Sequence, residues 1–156
     1  MWIHLRLLIF IFFSQLAGIV GGFFTASSVG GWYKFLVKPG FNPPSWLFGP
    51  VWIILYTLMG ISSYLVWLKI GVNNLAKPAL IVFYTHLVLN ALWSIIFFGL
   101  KNPMLAFCEI VVLWIFIIIT MVLFYKVDRL ACYVLIPYLL WVSFAAVLNY
   151  SIWRLN

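Results

Sequence analysis

Five long apolar runs dominate the sequence, and each is about as long as a bilayer is thick. They extend approximately from Leu7 to Phe24, Trp46 to Leu68, Ala79 to Leu100, Met104 to Tyr125 and Leu130 to Trp153. Crossing ~30 Å of hydrocarbon at ~1.5 Å of rise per residue takes about 20 residues. None of the runs alternates polar with apolar residues as a membrane strand does. The expected fold is an all-α integral membrane protein: one multi-pass transmembrane domain over residues 1–156, built as a five-helix bundle.

Composition agrees with a lipid solvent. Hydrophobic residues make up 67% of the chain and charged residues 7%, against about 25% charged in soluble domains. Aromatic residues reach 21%, more than interfacial belts require, so some rings are expected to face a cavity. A formal charge of +7 raises the question of nucleic acid. The cations stand singly at the ends of apolar runs, however, which reads as headgroup anchoring, and no nucleic-acid role is expected. They also leave the topology open: Arg6, Lys69, Lys77, Lys126 and Arg129 fall on one side, and Lys34, Lys38, Lys101 and Arg154 on the other. Cys108 and Cys132 map near opposite faces of the bilayer, which excludes a bond between them within one chain.

Three of the four connections are tight and carry helix-end punctuation, as in Lys101-Asn102-Pro103. The exception runs from about Thr25 to Ser45 and contains Gly30-Gly31, Lys38-Pro39 and Asn42-Pro43-Pro44. Its prolines fix φ and remove backbone donors, so an ordered cap with little regular structure is expected there. Arg6 before the first run and small residues after it also fit a signal peptide. The recurrence of Gly18, Gly22 and Ala26 every four residues favours instead a retained helix packed closely on a neighbour.

Three helix faces could carry a binding function. His86, Asn90, Trp93 and Phe97 form one stripe on the third run. Such a stripe is either a pocket wall that hydrogen-bonds a ligand or a seam of interhelical bonds worth about 0.6 kcal/mol each. Trp52, Tyr56 and Met59 share a face on the second run, and Tyr138, Trp141, Ala145 and Asn149 share one on the fifth. Rings around a small residue suit a large planar or ring-fused apolar ligand, although an aromatic stripe also serves plain packing.

Glu109, about six residues into its helix, is expected near the interface in a structural role, and Asp128 as a solvated loop charge. Lone His86 has no evident second axial ligand and there is no Cys-x-x-Cys-His, so neither a metal site nor a cofactor is expected. No Walker loop, dinucleotide fingerprint, serine triad order or paired carboxylates occur, which disfavours hydrolytic and nucleotide chemistry. Leu148, Tyr150 and Arg154 fit a loose pattern proposed for sterol contact, and equally an interfacial anchor.

Longer motifs point to a family. The run Trp32-Tyr33, Lys38-Pro39, Pro43-Pro44, Trp46, Pro50-Val51-Trp52, Leu55-Tyr56 and Met59-Gly60 resembles the translocator protein family (TspO/MBR), also known as tryptophan-rich sensory proteins or peripheral benzodiazepine receptors. Further matches follow in order: Leu89-Asn90, Trp93-Ser94, Phe97-Phe98-Gly99, Pro137-Tyr138, Trp141, Phe144-Ala145, Leu148-Asn149 and Trp153.

The resemblance implies a cavity closed by the first loop, a homodimer, and binding of protoporphyrin and haem-related tetrapyrroles, sterols and benzodiazepine-type drugs. Carried over by position, the pocket would use Tyr33, Pro43, Trp52, Tyr56, Asn90, Trp93, Phe97, Trp141 and Ala145, with His86 and Tyr138 on the adjoining faces. His86 stands where many relatives carry Gln. Leu148, Tyr150 and Arg154 would contact sterol or membrane lipid. In some bacterial relatives the tryptophan matching Trp52 supports light- and oxygen-dependent breakdown of protoporphyrin, which makes Trp52 a catalytic candidate if that chemistry operates here; tetrapyrrole or sterol transport is the other alternative.

Overall fold

The computed structural model describes residues 2–156, with side-chain surroundings from His4 onward. Its elements are α1 (Trp2–Val29), the short lid helix α2 (Trp32–Phe35), α3 (Ser45–Trp67), α4 (Ala76–Ser94) continuing into a π-helical turn (Ile95–Gly99), α5 (Pro103–Val127), α6 (Arg129–Val134) and α7 (Ile136–Leu155). Among the described residues five spans are long and apolar enough to cross a membrane, α6 and α7 together forming the fifth. The protein is a multi-pass integral membrane bundle. Large apolar side chains such as Phe12, Phe23, Ile81 and Leu140 are exposed on its outside, as a lipid-facing surface requires.

Helix ends follow local chemistry. Asn102 caps α5 by accepting from the Leu105 N–H at 3.0 Å, with Pro103 at the first position where its missing N–H costs nothing. Asp128 caps α6 by accepting from the Ala131 N–H at 3.1 Å and lies 3.9 Å from the Lys69 ammonium. It is therefore a capping and pairing residue, where the sequence suggested only a solvated charge. The fifth span is not continuous: Leu135 separates α6 from α7, because Pro137 lacks the N–H needed to carry the ladder through. That break lies about a turn and a half from the span's end, away from the midplane.

The first helix runs on to Val29, five residues past the boundary expected from hydropathy, and so enters the segment assigned to the cap. Its buried small residues are Ser14, Ala17, Gly21 and Ser28. The Ser28 hydroxyl donates to the Phe98 carbonyl at 2.7 Å, tying α1 to the π-helical turn. The expected close-packing stripe holds at Gly18, where an added Cβ would lie 2.5 Å from the Tyr56 ring. At Gly22 such a Cβ meets nothing within 4 Å. Gly22 and Ala26 are exposed and leave space where contact was expected.

Glu109, six residues into α5, is buried by its neighbours, and neither carboxylate oxygen has a partner among the described residues. Both cysteine thiols are free, Cys108 near the start of α5 and Cys132 in α6, beyond its far end.

Candidate ligand cavity

A cavity of about 540 Å³ lies in the half of the bundle nearest the lid, within the ~300–1,000 Å³ typical of small-molecule sites. Its walls come from α1, α2, α3, α4 with the π-helical turn, and α7. No Lys, Arg, Asp or Glu lines it, and its walls include the rings of Tyr33, Phe48, Trp52, Tyr56, Trp93, Phe97, Phe98 and Trp141. Trp52 stacks on Tyr56 with ring centroids 5.3 Å apart, while Phe48 and Phe144 flank Trp141 at 6.0 and 5.6 Å. Ala145 sits among these rings and leaves room for a ligand.

Behind the wall the polar groups are already engaged. Tyr56 donates its hydroxyl hydrogen to Asn90 Oδ1, and Asn90 Nδ2 donates to the Tyr138 hydroxyl oxygen at 3.1 Å. Asn90 and Tyr138 are buried and do not line the cavity. The Trp93 indole N–H is likewise committed, donating to Asn149 Oδ1 at 2.9 Å, and Asn149 Nδ2 donates to the Pro103 carbonyl at 2.8 Å. Trp93 therefore offers a ligand its ring but not its donor. The indole N–H groups of Trp52 and Trp141 take part in no hydrogen bond among the described residues, so two cavity-lining donors remain available.

The stripe on α4 divides in two. Trp93 and Phe97 face the cavity, whereas His86 is fully buried against Phe83 and Tyr138, with Nδ1 3.3 Å from the Thr120 hydroxyl of α5. Its physical cause is the packing of α4: away from the lid the helix is sealed against α5, and only its lid-side end borders empty space. His86, Asn90 and Tyr138 thus form a second layer behind the wall, which touches it through Tyr56 and through Trp52, whose ring centroid lies 6.4 Å from that of Tyr138.

Pro43 lies in the lid connection, where its carbonyl accepts from Asn42 Nδ2 at 3.0 Å, and it does not line the cavity. The proposed sterol residues also separate. Leu148 is buried and lines the cavity, while Tyr150 packs outside on Phe107 and Trp153 and Arg154 is exposed. Positions two apart on a helix differ by about 200°, so Leu148 and Tyr150 cannot share one surface. Sequence reasoning passed over Gln15, Phe48 and Gly49 and took Gly22 and Ala26 for packing residues; all five line the cavity.

The lid closes the cavity toward the aqueous side. Tyr33 is buried, edge-on to Phe97 at 6.2 Å, and donates its hydroxyl hydrogen to Asn42 Oδ1 at 3.0 Å. Trp32 meets the same Phe97 ring at 5.8 Å. The Lys38 ammonium lies 4.6 Å from the Tyr33 ring centroid and donates to the Leu36 carbonyl at 3.1 Å. At the C-terminal end, Asn156 pairs with Val37 in both directions: the Val37 N–H donates to Asn156 Oδ1, and Asn156 Nδ2 donates to the Val37 carbonyl, each at 3.0 Å.

Burial raises the Tyr33 phenol above its ordinary 10.0. A value raised by folding favours the neutral phenol, so its contribution to lid closure is complete below about pH 10 and is lost as pH climbs through the folded value. Tyr33→Phe removes a bond worth about 0.5–1.5 kcal/mol, and an alkaline-stable protease is expected to cut the lid severalfold faster in that variant at neutral pH. Wild type should show the same acceleration only above about pH 10. Loosening of the wild-type lid near neutrality would contradict this role for Tyr33.

Comparison with known sequences gives the same arrangement a family. The model of the TspO/MBR family matches residues 10–154. The chain belongs to the TspO/MBR family. It is 47% identical over 139 residues to the tryptophan-rich protein TspO of Archaeoglobus fulgidus, covering 89% of each chain. It is 38% identical over 142 residues to the translocator protein of Sus scrofa, covering 88% of this chain and 84% of that one. With the tryptophan-rich sensory protein of Cereibacter sphaeroides it shares 35% over 125 residues, covering 80% and 77%. Because the TspO/MBR match runs from within the first span through the lid to the end of the fifth, every wall of the cavity lies within the shared region.

Proposed function

We propose that this protein binds tetrapyrroles such as protoporphyrin, and also sterols or benzodiazepine-type molecules, within the membrane for sensing, buffering or handover. The observation that carries the reading is the cavity itself: about 540 Å³ inside the bundle, free of charged side chains and walled by flat rings around Ala145. A planar macrocycle buries its faces against those rings, and the free indole donors of Trp52 and Trp141 suit acceptors at its edge. Relatives named as sensory proteins and as translocator proteins are compatible with a binding role. Titrating the purified protein with protoporphyrin, haem and cholesterol while following tryptophan fluorescence tests the reading. Saturable quenching by the tetrapyrroles is expected, and its absence for all three would overturn the proposal.

One observation favours a second activity at the same site. Trp52 lines the cavity and stacks on Tyr56, which is hydrogen-bonded through Asn90 to Tyr138. An indole placed against an excited macrocycle can be oxidised, and a stacked phenol offers a neighbour over which the oxidising equivalent can spread. Light- and oxygen-dependent porphyrin breakdown would then depend on Trp52. Trp52→Phe keeps an aromatic face and is expected to lose about 1 kcal/mol of affinity while abolishing light-driven porphyrin loss. Equal bleaching rates in wild type and Trp52→Phe, with both proteins saturated, would leave this protein a binder alone.

A further inference from the structure

We propose that ligands enter and leave the cavity sideways, from the hydrocarbon of the bilayer, through a slot between α1 and α3. The inference rests on the binding role above and adds the phase that supplies the ligand: an apolar molecule already dissolved in the membrane.

The cavity's wall is incomplete on that side. Ile19 of α1 and Ile53 of α3 line it and are 61% and 60% exposed, so protein covers neither. Gly22, Ala26 and Gly49 also line the cavity and are exposed. All five lie within membrane spans, so the medium outside them is lipid, from hydrocarbon at Ile19 and Ile53 toward the interface at Ala26 and Gly49. Ile19 is ten residues from the end of α1 at Val29, about 15 Å of helix. The slot therefore runs from near mid-bilayer to the lid-side interface.

The slot exists because α1 and α3 meet closely on their other halves. An added Cβ on Gly60 would lie 2.5 Å from the Ile11 Cα, and Phe10 packs on Tyr64 and Trp67 at 5.7 and 5.6 Å. Gln15 Nε2 donates to the Ile53 carbonyl at 2.9 Å and to the Thr57 hydroxyl at 3.1 Å. Beyond Gly18 toward the lid the two helices part, and an added Cβ on Gly22 or Gly49 meets nothing within 4 Å.

The competing route is fastened. Leaving through the lid breaks the Tyr33–Asn42 bond and both Val37–Asn156 bonds, and pulls Trp32 and Tyr33 off Phe97. Passage between Ile19, Gly22, Ala26, Gly49 and Ile53 displaces lipid and meets no polar contact between those side chains. The lower barrier lies on the membrane side.

The test uses the full chain in liposomes with protoporphyrin supplied in the lipid phase, following association and release by tryptophan quenching. In a Gly22→Ala, Gly22→Leu, Gly22→Phe series and in Gly49→Leu, the association rate should fall with side-chain size, about tenfold at the larger residues, whether or not these cavity-lining substitutions also weaken equilibrium binding. Asn156→Ala should leave both rates unchanged. A wild-type association rate throughout the Gly22 series and in Gly49→Leu would overturn the inference. So would about tenfold faster exchange in Asn156→Ala alone, which moves the route to the lid. Wild type that shows no saturable quenching at equilibrium removes the binding reading itself, an outcome distinct from unchanged rates.

Discussion

Gly60→Ala is expected to destabilise the bundle by about 1–3 kcal/mol, the range for forcing an extra methyl into a packed interior. Gly60 is buried on α3, and the new Cβ would stand 2.5 Å from the Cα and 2.8 Å from the nitrogen of Ile11. Those atoms are backbone, so no rotamer change relieves the clash and α1 itself must retreat. Its retreat loosens the Phe10 contacts with Tyr64 and Trp67 and the Gln15 bond to the Ile53 carbonyl. The control is Gly49→Ala on the same helix, where the added methyl meets nothing within 4 Å and the change should stay within about 0.5 kcal/mol. Thermal or denaturant unfolding in detergent separates the two. Equal stability of Gly60→Ala and Gly49→Ala would show that α1 does not pack on α3 at this point.

Much of this site was legible because helical spacing and lipid chemistry act together. Trp52 and Tyr56, four apart, do share a face and stack, and Trp141 and Ala145 do lie side by side on the cavity wall. Spacing defines a face, but it does not say whether a neighbouring helix or a void lies opposite. His86 and Asn90 continue the stripe of Trp93 and Phe97, yet packing of α4 on α5 seals the first pair and leaves the second open.

The same ambiguity governs α1. Gly22 and Ala26 carry the small-residue signature of close packing, but the divergence of α1 from α3 turns that signature into an opening. No proline or glycine pair foretells the π-helical turn at Ile95–Gly99, whose Phe97 and Phe98 reach the lid at Tyr33. Asn156 falls in no sequence pattern, and its pairing with Val37 joins residues 119 positions apart.

Ala145→Phe is expected to have the largest effect on binding. Ala145 borders empty space among Trp141, Phe144 and Phe48, so a phenyl ring there projects into the cavity rather than into packed protein. The fold should persist, with an unfolding midpoint close to wild type, because the volume it takes is unoccupied. A ligand as broad as a macrocycle would then have to displace the ring or bind off-centre, at a cost of about 1–3 kcal/mol, which corresponds to roughly a five- to 150-fold weaker Kd.

The ratio of protoporphyrin Kd in Ala145→Phe to that in wild type, measured by tryptophan quenching on folded protein, is therefore the most direct test that this cavity is the binding site. A ratio of about ten or more is expected. A ratio near one, with both proteins folded and saturable, would place the ligand elsewhere on the molecule.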